Sequence, residues 1–289
     1  MQSKPNIKIH LFIIAALLYS TCSAQMFKPI PVTSGKTNLE KLLNEKQWNE
    51  LFPNRYGLDQ KDAKGKSKDF YTFKAFVAAA KAFPNFLAEG DEVTQKKELA
   101  AFLANIAQET TGGWSDAPGG YFKWGLCYLQ EQGHPNPAYI NTGIYPAAKG
   151  KKYYGRGPKQ LSWNYNYAQF SQMWFDNQDT LLQNPDYLIH DPVVSFASAI
   201  WFWMTPQLPK PSCHDVMSGK WKPTQDDVNQ GRLPGFGTTL NIINGGQECG
   251  KAIEGQRTKY RYDYYKYFCK FFNVSPGPNV ECSDQKPFK

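Results

Sequence analysis

The segment from Pro192 to Met204 limits the possible folds of this 289-residue chain more than any other feature. At helical spacing it leaves almost no polar face, since its apolar residues are Val193, Val194, Phe196, Ala197, Ile200, Trp201 and Trp203. A helix that is hydrophobic all round must be enclosed by other elements. No stretch of the chain approaches the roughly 18 apolar residues that a membrane-spanning helix needs. We therefore expect a globular protein built around this helix and exclude a membrane protein.

The rest of the sequence pattern is also helical. Apolar residues recur with roughly 3.6 spacing in residues 39–51, 71–83, 92–109, 164–182 and 258–272. No run of residues alternates as a strand would. The stretch from Gly112 to Gly157 carries ten of the 23 glycines and is predicted to be mostly loop. A loop of this length inside a compact domain usually carries function. The predicted fold class is mainly α.

The N-terminus has the layout of a secretory signal peptide. Two lysines form a basic region, a short apolar core follows, and small residues precede a predicted cleavage site after Ala24. We expect residues 1–24 to be removed from a secreted protein, residues 25–38 to be an irregular lead-in, and residues 39–289 to form one domain. Cleavage lowers the formal net charge from +8 to +6, because both lysines are lost, and leaves five of the six cysteines.

Several classes of chemistry lack their motifs. The mild charge without a basic cluster gives little support for nucleic-acid binding. The chain has no GxxxxGK[ST], GxGxxG, HExxH or GxSxG motif. The four histidines lie far apart, so no metal site is predicted. Cys213 and His214 are interpreted as a packed thiol beside a surface histidine. Carboxylate chemistry remains.

Glu109 is the first carboxylate candidate. It continues the apolar stripe of its helix, at i+3 from Ile106 and i+7 from Phe102. Burial on that face and the negative end of the helix dipole would both raise its pKa. The carboxyl would then stay protonated near neutral pH, as a general acid requires. The alternative is an exposed glutamate in a frayed last turn, and spacing alone does not separate the two.

Glu131 and an aromatic-rich segment complete the pattern. As the ionised partner of a protonated Glu109, Glu131 could activate water for glycosidic cleavage, although loop carboxylates are more often simply solvated. Residues 153–167, YYGRGPKQLSWNYNY, interleave aromatic rings with amides and a hydroxyl, which suits the CH faces and hydroxyl groups of a saccharide. Binding of single-stranded nucleic acid and simple core packing are alternative interpretations.

Three segments resemble one known family. QETTGGW at 108–114, YYGRGPKQLSWNYNY at 153–167 and NIINGGQECG at 241–250 are similar, in the same order, to the signature segments of glycoside hydrolase family 19, the plant-type endochitinases. The resemblance runs from about Leu39 to the C-terminus. It implies a lysozyme-like, two-lobed helical fold with a cleft and long loops. It also implies hydrolysis of β-1,4 bonds between N-acetylglucosamine units of chitin or chitooligosaccharides.

The resemblance assigns roles to individual residues. Glu109 matches the general acid, Glu131 the general base, and Ser162 the hydroxyl that helps to hold the attacking water, so the expected reaction is inverting. The matches to substrate-contacting positions are Thr111, Gln160, Tyr165, Asn166, Lys210 and Asn244. Glu248 and Arg261 match a charged pair that steers the carboxyl of the acid.

The chain also departs from the family pattern. Gln108 stands where histidine usually precedes the acid, and no cysteine-rich chitin-binding module precedes the catalytic region. Ile140 and Ala147 replace the cysteines of a loop disulfide, so this loop is expected to be less constrained. Cys249 and Cys282 match a paired couple. At least one of the remaining thiols must then lie outside intramolecular disulfides, and these are Cys127, Cys213 and Cys269.

We therefore expect a secreted, monomeric endochitinase that uses no metal or organic cofactor and binds neither nucleic acid nor membranes. One alternative is a chitin- or glucan-binding relative that has lost catalysis. Gln108 and the loosened loop favour this alternative, whereas the presence of both Glu109 and Glu131 disfavours it. The other alternative is a hydrolase of another amino-sugar polymer, such as peptidoglycan.

Overall fold

The computed structural model describes residues 37–56, 68–133, 139–250 and 256–288, so the predicted signal peptide and most of the lead-in lie outside the described residues. Within them the chain forms a 3₁₀ helix at Tyr121–Trp124, isolated β-bridges and twelve α-helices. The helices are α1 (Asn38–Leu42), α2 (Glu45–Leu51), α3 (Phe73–Ala80), α4 (Glu92–Glu109), α5 (Asn164–Phe175), α6 (Asp179–Gln183), α7 (Tyr187–His190), α8 (Pro192–Met204), α9 (Cys213–Ser218), α10 (Gln225–Asn229), α11 (Phe236–Glu248) and α12 (Gln256–Phe271). The prediction of a mainly α fold is confirmed. No helix in these ranges is both long and apolar enough to cross a bilayer.

Helices with clear start signals have the predicted bounds. α4 begins after Asp91, whose side chain accepts a hydrogen bond from the backbone of Thr94, and α8 begins after Asp191, which accepts from the backbone of Val193 and Val194. Two predicted helices are each divided into a pair. Asn44 starts α2 with a capping box, and Asp176 ends α5 in the left-handed conformation.

The α11 helix is absent from the sequence-based prediction. It contains Gly245 and Gly246, which have poor helix propensity, and its path is broken at Asn244, where φ is −147° and ψ is 30°. The apolar periodicity of the first turns therefore does not continue to the end of the helix, and the sequence pattern did not indicate a helix here. The kink matters for function because it lies in the segment that the family resemblance marks.

The α8 helix lies at the centre of the core, as predicted. It packs against α3, α7 and α9, while α4 packs against α9 and α12. Phe196 stacks on Phe76 at 4.9 Å between ring centroids, and Phe102 contacts Phe76 and Trp203 at 5.6 Å each. The aromatic cluster joins α3, α4 and α8, and so fixes the helix whose last residue is Glu109.

The first two residues of α9, Cys213 and His214, test the prediction of a packed thiol beside a surface histidine. Cys213 is a packed thiol, as predicted, and burial raises its pKa to about 12. His214 is not on the surface: it is 3% exposed, and its Nδ1 lies 2.7 Å from Oε1 of the fully buried Glu98. The two residues are 116 positions apart, so no local pattern could indicate this pair.

The predicted disulfide between Cys249 and Cys282 is present, and Cys213 and Cys269 are buried thiols outside it. We expect the Cys249→Ala/Cys282→Ala variant to lose about 3–4 kcal/mol of unfolding free energy in urea, because the bridge closes a loop with a sequence separation of 33. In unfolded, unreduced wild-type protein, iodoacetamide should label Cys213 and Cys269 but not the bridged pair. Labelling of Cys249 under these conditions would contradict the pairing.

Candidate active site

Glu109, the last residue of α4, carries two ion pairs on one oxygen. Its Oε1 accepts hydrogen bonds from Nζ of Lys159 and Nη1 of Arg261, each at 3.1 Å. Lys159 lies in the loop before α5, and Arg261 lies on α12. The side chain of Glu109 is 19% exposed. The alternative of a frayed, solvent-exposed glutamate is therefore wrong.

The pKa of Glu109 moves in the opposite direction to the prediction. Burial raises the pKa of the carboxyl, but the charges and hydrogen bonds of Lys159 and Arg261 outweigh burial and lower it. The helix dipole supplies only partial charges, whereas both cations are full charges in contact. The prediction that Glu109 stays protonated near neutral pH is thus wrong for the protein without substrate.

Arg261 connects Glu109 to α11. Its guanidinium contacts both oxygens of Glu248, at 2.9 and 3.2 Å, and also donates to Oδ1 of Asn105 at 3.2 Å. The side chain of Asn244 donates to Glu248 at 2.9 Å from the kink in α11. The Arg261 and Glu248 side chains are only 4% and 6% exposed. A buried bidentate pair with further hydrogen bonds holds its members in one orientation.

Glu131 follows the isolated β-bridge between Gln130 and Arg156, and its carboxyl accepts from two donors. Its backbone amide donates to the carbonyl of Gly155 at 2.8 Å, and the Gly155 amide donates to its Oε2 at 3.2 Å. The hydroxyl of Tyr139 donates to Oε1 at 2.9 Å. Burial and the adjacent carboxyl raise the pKa of Tyr139, so the phenol keeps the proton it donates. The orientation of the Glu131 carboxyl is therefore fixed on both oxygens.

One loop, residues 153–163, contacts both carboxyl groups. Lys159 reaches Glu109 and the Gly155 amide reaches Glu131. The loop packs closely on α8 through Gly157, where φ is +73° and a Cβ atom would lie 2.8 Å from Oγ of Ser195. Glu109 and Glu131, predicted as a pair, are thus both in contact with one short segment.

Three further predicted site residues lie where this loop meets α5. The Ser162 hydroxyl donates to the carbonyl of Gln160 at 3.0 Å, and the Asn166 amide donates to the carbonyl of Ser162 at 2.9 Å. The Gln160 side chain donates to the carbonyl of Gly157 at 2.9 Å. The structure therefore places Ser162 near the end of the loop that holds Glu131, with its hydroxyl turned to the carbonyl of Gln160.

Thr111 follows the end of α4, and Lys210 lies in the loop before α9. The Thr111 hydroxyl lies 3.2 Å from the Tyr264 hydroxyl and accepts from the Gly113 amide at 3.0 Å. Lys210 donates to the carbonyl of Ile242 on α11 at 3.0 Å. Burial, with the nearby charge of Lys159 adding to it, lowers the pKa of Lys210. The predicted substrate-contacting residues thus come from the segment after α4, the loop before α5, α5 itself, α11 and the loop before α9.

A row of aromatic rings runs beside Glu131. Trp163 contacts Tyr139 at 5.3 Å and Tyr165 at 6.3 Å between centroids, and Trp163 is 39% exposed. Exposed rings in such a row offer flat apolar faces on which sugar rings can pack. Tyr165 was predicted as a substrate contact, whereas Tyr139 and Trp163 were not assigned a role.

The loop that lacks the family's disulfide is held by Asn164 instead. This fully buried amide donates to the carbonyls of Asn141 and Tyr145, at 2.8 and 2.5 Å, and accepts from the Asn141 amide at 2.7 Å. The backbone of Asn164 also donates to the carbonyl of Tyr139 at 3.1 Å. These bonds supply part of the constraint expected from a disulfide and help to position the tyrosine that contacts Glu131.

Sequence reasoning missed Lys159 and Tyr139 as members of the site. Each contacts a carboxyl group, yet neither stands in a periodic pattern that marks it. Lys159 is 50 residues from its partner, and a lysine in a loop is ordinarily solvated. The sequence signal available for Lys159 was its position between Gly157 and Ser162, within the segment 153–167 that resembles the family.

Comparisons with known proteins agree with the family resemblance of the three segments at 108–114, 153–167 and 241–250. A family model described as chitinase class I matches residues 45–282. Endochitinase A2 of Pisum sativum is 48% identical over 256 residues, which cover 89% of this chain and 76% of that protein. A protein of Hevea brasiliensis named inactive chitinase-like protein 1 is also 48% identical, over 255 residues covering 88% of this chain and 78% of the relative. The crystal structure of a family GH19, class IV chitinase from Zea mays matches with a TM-score of 0.61 and 31% identity, over 85% of this chain and all of that one.

Proposed function

The chain belongs to glycoside hydrolase family 19, and we propose that it is a secreted, monomeric endochitinase that cleaves with inversion. Its substrates are chitin and chitooligosaccharides with β-1,4-linked N-acetylglucosamine units. The observation that carries the mechanism is the single loop that hydrogen-bonds to both Glu109 and Glu131. Such a loop fixes the two carboxyl groups relative to one another, as a two-carboxylate hydrolysis requires.

In this proposal the two carboxyl groups have different tasks. Glu109 donates a proton to the glycosidic oxygen, while Glu131 takes a proton from a water that attacks the opposite face of the sugar. Ser162 helps to hold that water. Arg261 and Glu248 keep the acid's carboxyl in one orientation, and the aromatic row beside Glu131 packs against the sugar rings.

A second candidate function is chitin binding with weak turnover or none. Two observations favour it: a relative at 48% identity is named as inactive, and Lys159 and Arg261 lower the pKa of the proposed acid. The pair of carboxyl groups favours catalysis, because a pure binding protein needs no buried, cation-paired glutamate at the site. Turnover of a chitin hexamer separates the two candidates.

The anomer of the first product tests the mechanism. If Glu131 activates a water, the two carboxyl groups need roughly 6.5–9.5 Å or more between them, and a single displacement at a β bond should release the α-anomer. A proton NMR time course of hexamer cleavage, read before mutarotation, should begin with the α signal. An initial β signal would overturn the role of Glu131 and leave Glu109 as the acid. Equal turnover of peptidoglycan in a parallel assay would overturn the choice of substrate.

A further inference from the structure

We propose that Lys159 is a positioning residue for Glu109: together with Arg261 it holds Oε1 of the acid in place, and its charge sets the highest pH at which the enzyme works. The proposal rests on the role of Glu109 as the acid. Lys159 has no role among those that the family resemblance assigns to individual residues.

The position of Lys159 is closely constrained. Its side chain is 8% exposed, its ammonium lies 3.1 Å from Glu109, and the same group lies 4.9 Å from the ring centroid of Phe202. The turn that contains Lys159 is closed by a hydrogen bond from the Gln160 amide to the carbonyl of Gly157 at 3.0 Å. A buried ammonium held in this way has few alternative positions, so its charge stays next to Glu109.

The two cations at Glu109 differ in the other carboxylates that they contact. Arg261 is also bound by both oxygens of Glu248, so much of its charge is already compensated. Within the described ranges, Glu109 is the one carboxylate within ion-pair distance of Lys159. The charge of Lys159 therefore acts mainly on the acid, and removing it changes the electrostatics of that carboxyl more selectively than removing Arg261.

The charged groups in and around the Glu109 contacts come from different elements. Lys159 approaches from the loop before α5 and Arg261 from α12, while Glu248 on α11 lies behind Arg261 and Lys210 lies near Lys159. Burial alone raises the pKa of Glu109, and the two contacting cations together lower it. Without Lys159, burial opposes one cation that is shared with Glu248, so the pKa should rise.

The sign of the expected pH effect follows directly. A general acid must be protonated, so kcat/KM falls as the pH rises through the pKa of Glu109 in the free enzyme. A contacting cation that lowers this pKa moves the falling limb to lower pH. Removing Lys159 should move the limb back to higher pH. A purely structural lysine would change the height of the profile and leave its midpoint in place.

The first test is the pH profile of hexamer cleavage by Lys159→Met, with Lys159→Gln as a second neutral variant. The midpoint of the falling limb should rise by at least about one pH unit, since a contacting cation typically lowers a carboxyl pKa by 1–3. Lys159→Arg keeps the charge and should keep the midpoint. Lys151→Met, at an exposed position two residues before this loop, is the matched control and should leave the profile unchanged. Unmoved midpoints in both neutral variants would overturn the proposal.

A second readout does not depend on turnover. The side-chain carboxyl carbon of Glu109 can be followed by ¹³C NMR and assigned by its loss in Glu109→Gln. Its titration midpoint should be at least about one pH unit higher in Lys159→Met than in wild-type protein. A titration that is the same in both proteins would overturn the proposal. If the wild-type protein cleaves no hexamer at any pH, the proposed function fails while this titration still tests Lys159.

Discussion

Replacing Glu109 with glutamine should lower hexamer turnover by at least about 100-fold, because the amide cannot donate the proton that the leaving oxygen needs. Glutamine keeps the shape of the side chain, so calorimetric binding of the hexamer should stay close to wild type. Glu131→Gln should lower turnover by a similar factor, since an amide cannot accept the proton of the attacking water. A variant of either residue that keeps more than about a tenth of the wild-type rate would show that its assigned role is wrong.

The ion pairs of Glu109 make a control necessary. Glu109→Gln leaves the buried Lys159 without its carboxylate, whereas Arg261 keeps Glu248. The single variant should therefore be less stable as well as inactive, because an uncompensated buried charge is unfavourable. The Glu109→Gln/Lys159→Met variant removes that charge and should recover much of the lost stability. If it also recovered turnover, the loss in the single variant would come from misfolding and not from the missing proton donor.

The parts of the fold that could be predicted are those with local signals. The bounds of α4 and α8 were predicted correctly. Their apolar patterns and their first residues, which follow Asp91 and Asp191, depend only on residues nearby in sequence. The α11 helix could not be predicted in this way, because Gly245, Gly246 and the kinked Asn244 weaken both its propensity and its periodicity. Tertiary packing on α9 and α12 compensates for that weakness.

The candidate site shows the same division between local and distant causes. Glu109 was found from its place on a helical stripe, and the marked segments pointed to the loop that contacts both carboxyl groups. The direction of its pKa was wrong because Lys159 and Arg261 are 50 and 152 residues away in sequence. Spacing along one helix describes burial and the helix dipole, but it contains nothing about cations that arrive from other elements.

Removing one member of the buried pair formed by Glu98 and His214 should destabilise the protein strongly. Glu98 on α4 is fully buried, and its Oε1 contacts Nδ1 of His214 on α9 at 2.7 Å and Nε1 of Trp203 on α8 at 3.0 Å. His214→Ala leaves this carboxyl without its cationic partner. We expect a loss of about 3–5 kcal/mol of unfolding free energy, measured by urea denaturation at pH 6.

The pH dependence of that loss has a definite sign. Burial lowers the pKa of His214, but the Glu98 carboxyl outweighs burial and raises it above the ordinary value of about 6.5. A raised pKa in the folded state contributes stability that is fully present below about pH 6.5 and is lost as the pH rises through the folded-state pKa. The difference between wild type and His214→Ala should therefore be largest near pH 6 and should narrow toward pH 9.

Two matched variants separate loss of the ion pair from general damage to the core. Glu98→Leu/His214→Leu replaces both buried groups with apolar side chains, so it should be less destabilised than His214→Ala alone. Lys220→Ala breaks the ion pair with Glu89, which has a shorter contact of 2.6 Å but side chains that are 49% and 33% exposed, and it should leave the urea midpoint nearly unchanged. If Lys220→Ala cost as much as His214→Ala, the distance between the charges and not their burial would control stability. If the double leucine variant were the least stable of the three, the pair would be needed for the packing of α4, α8 and α9, and the charge argument for His214 would be wrong.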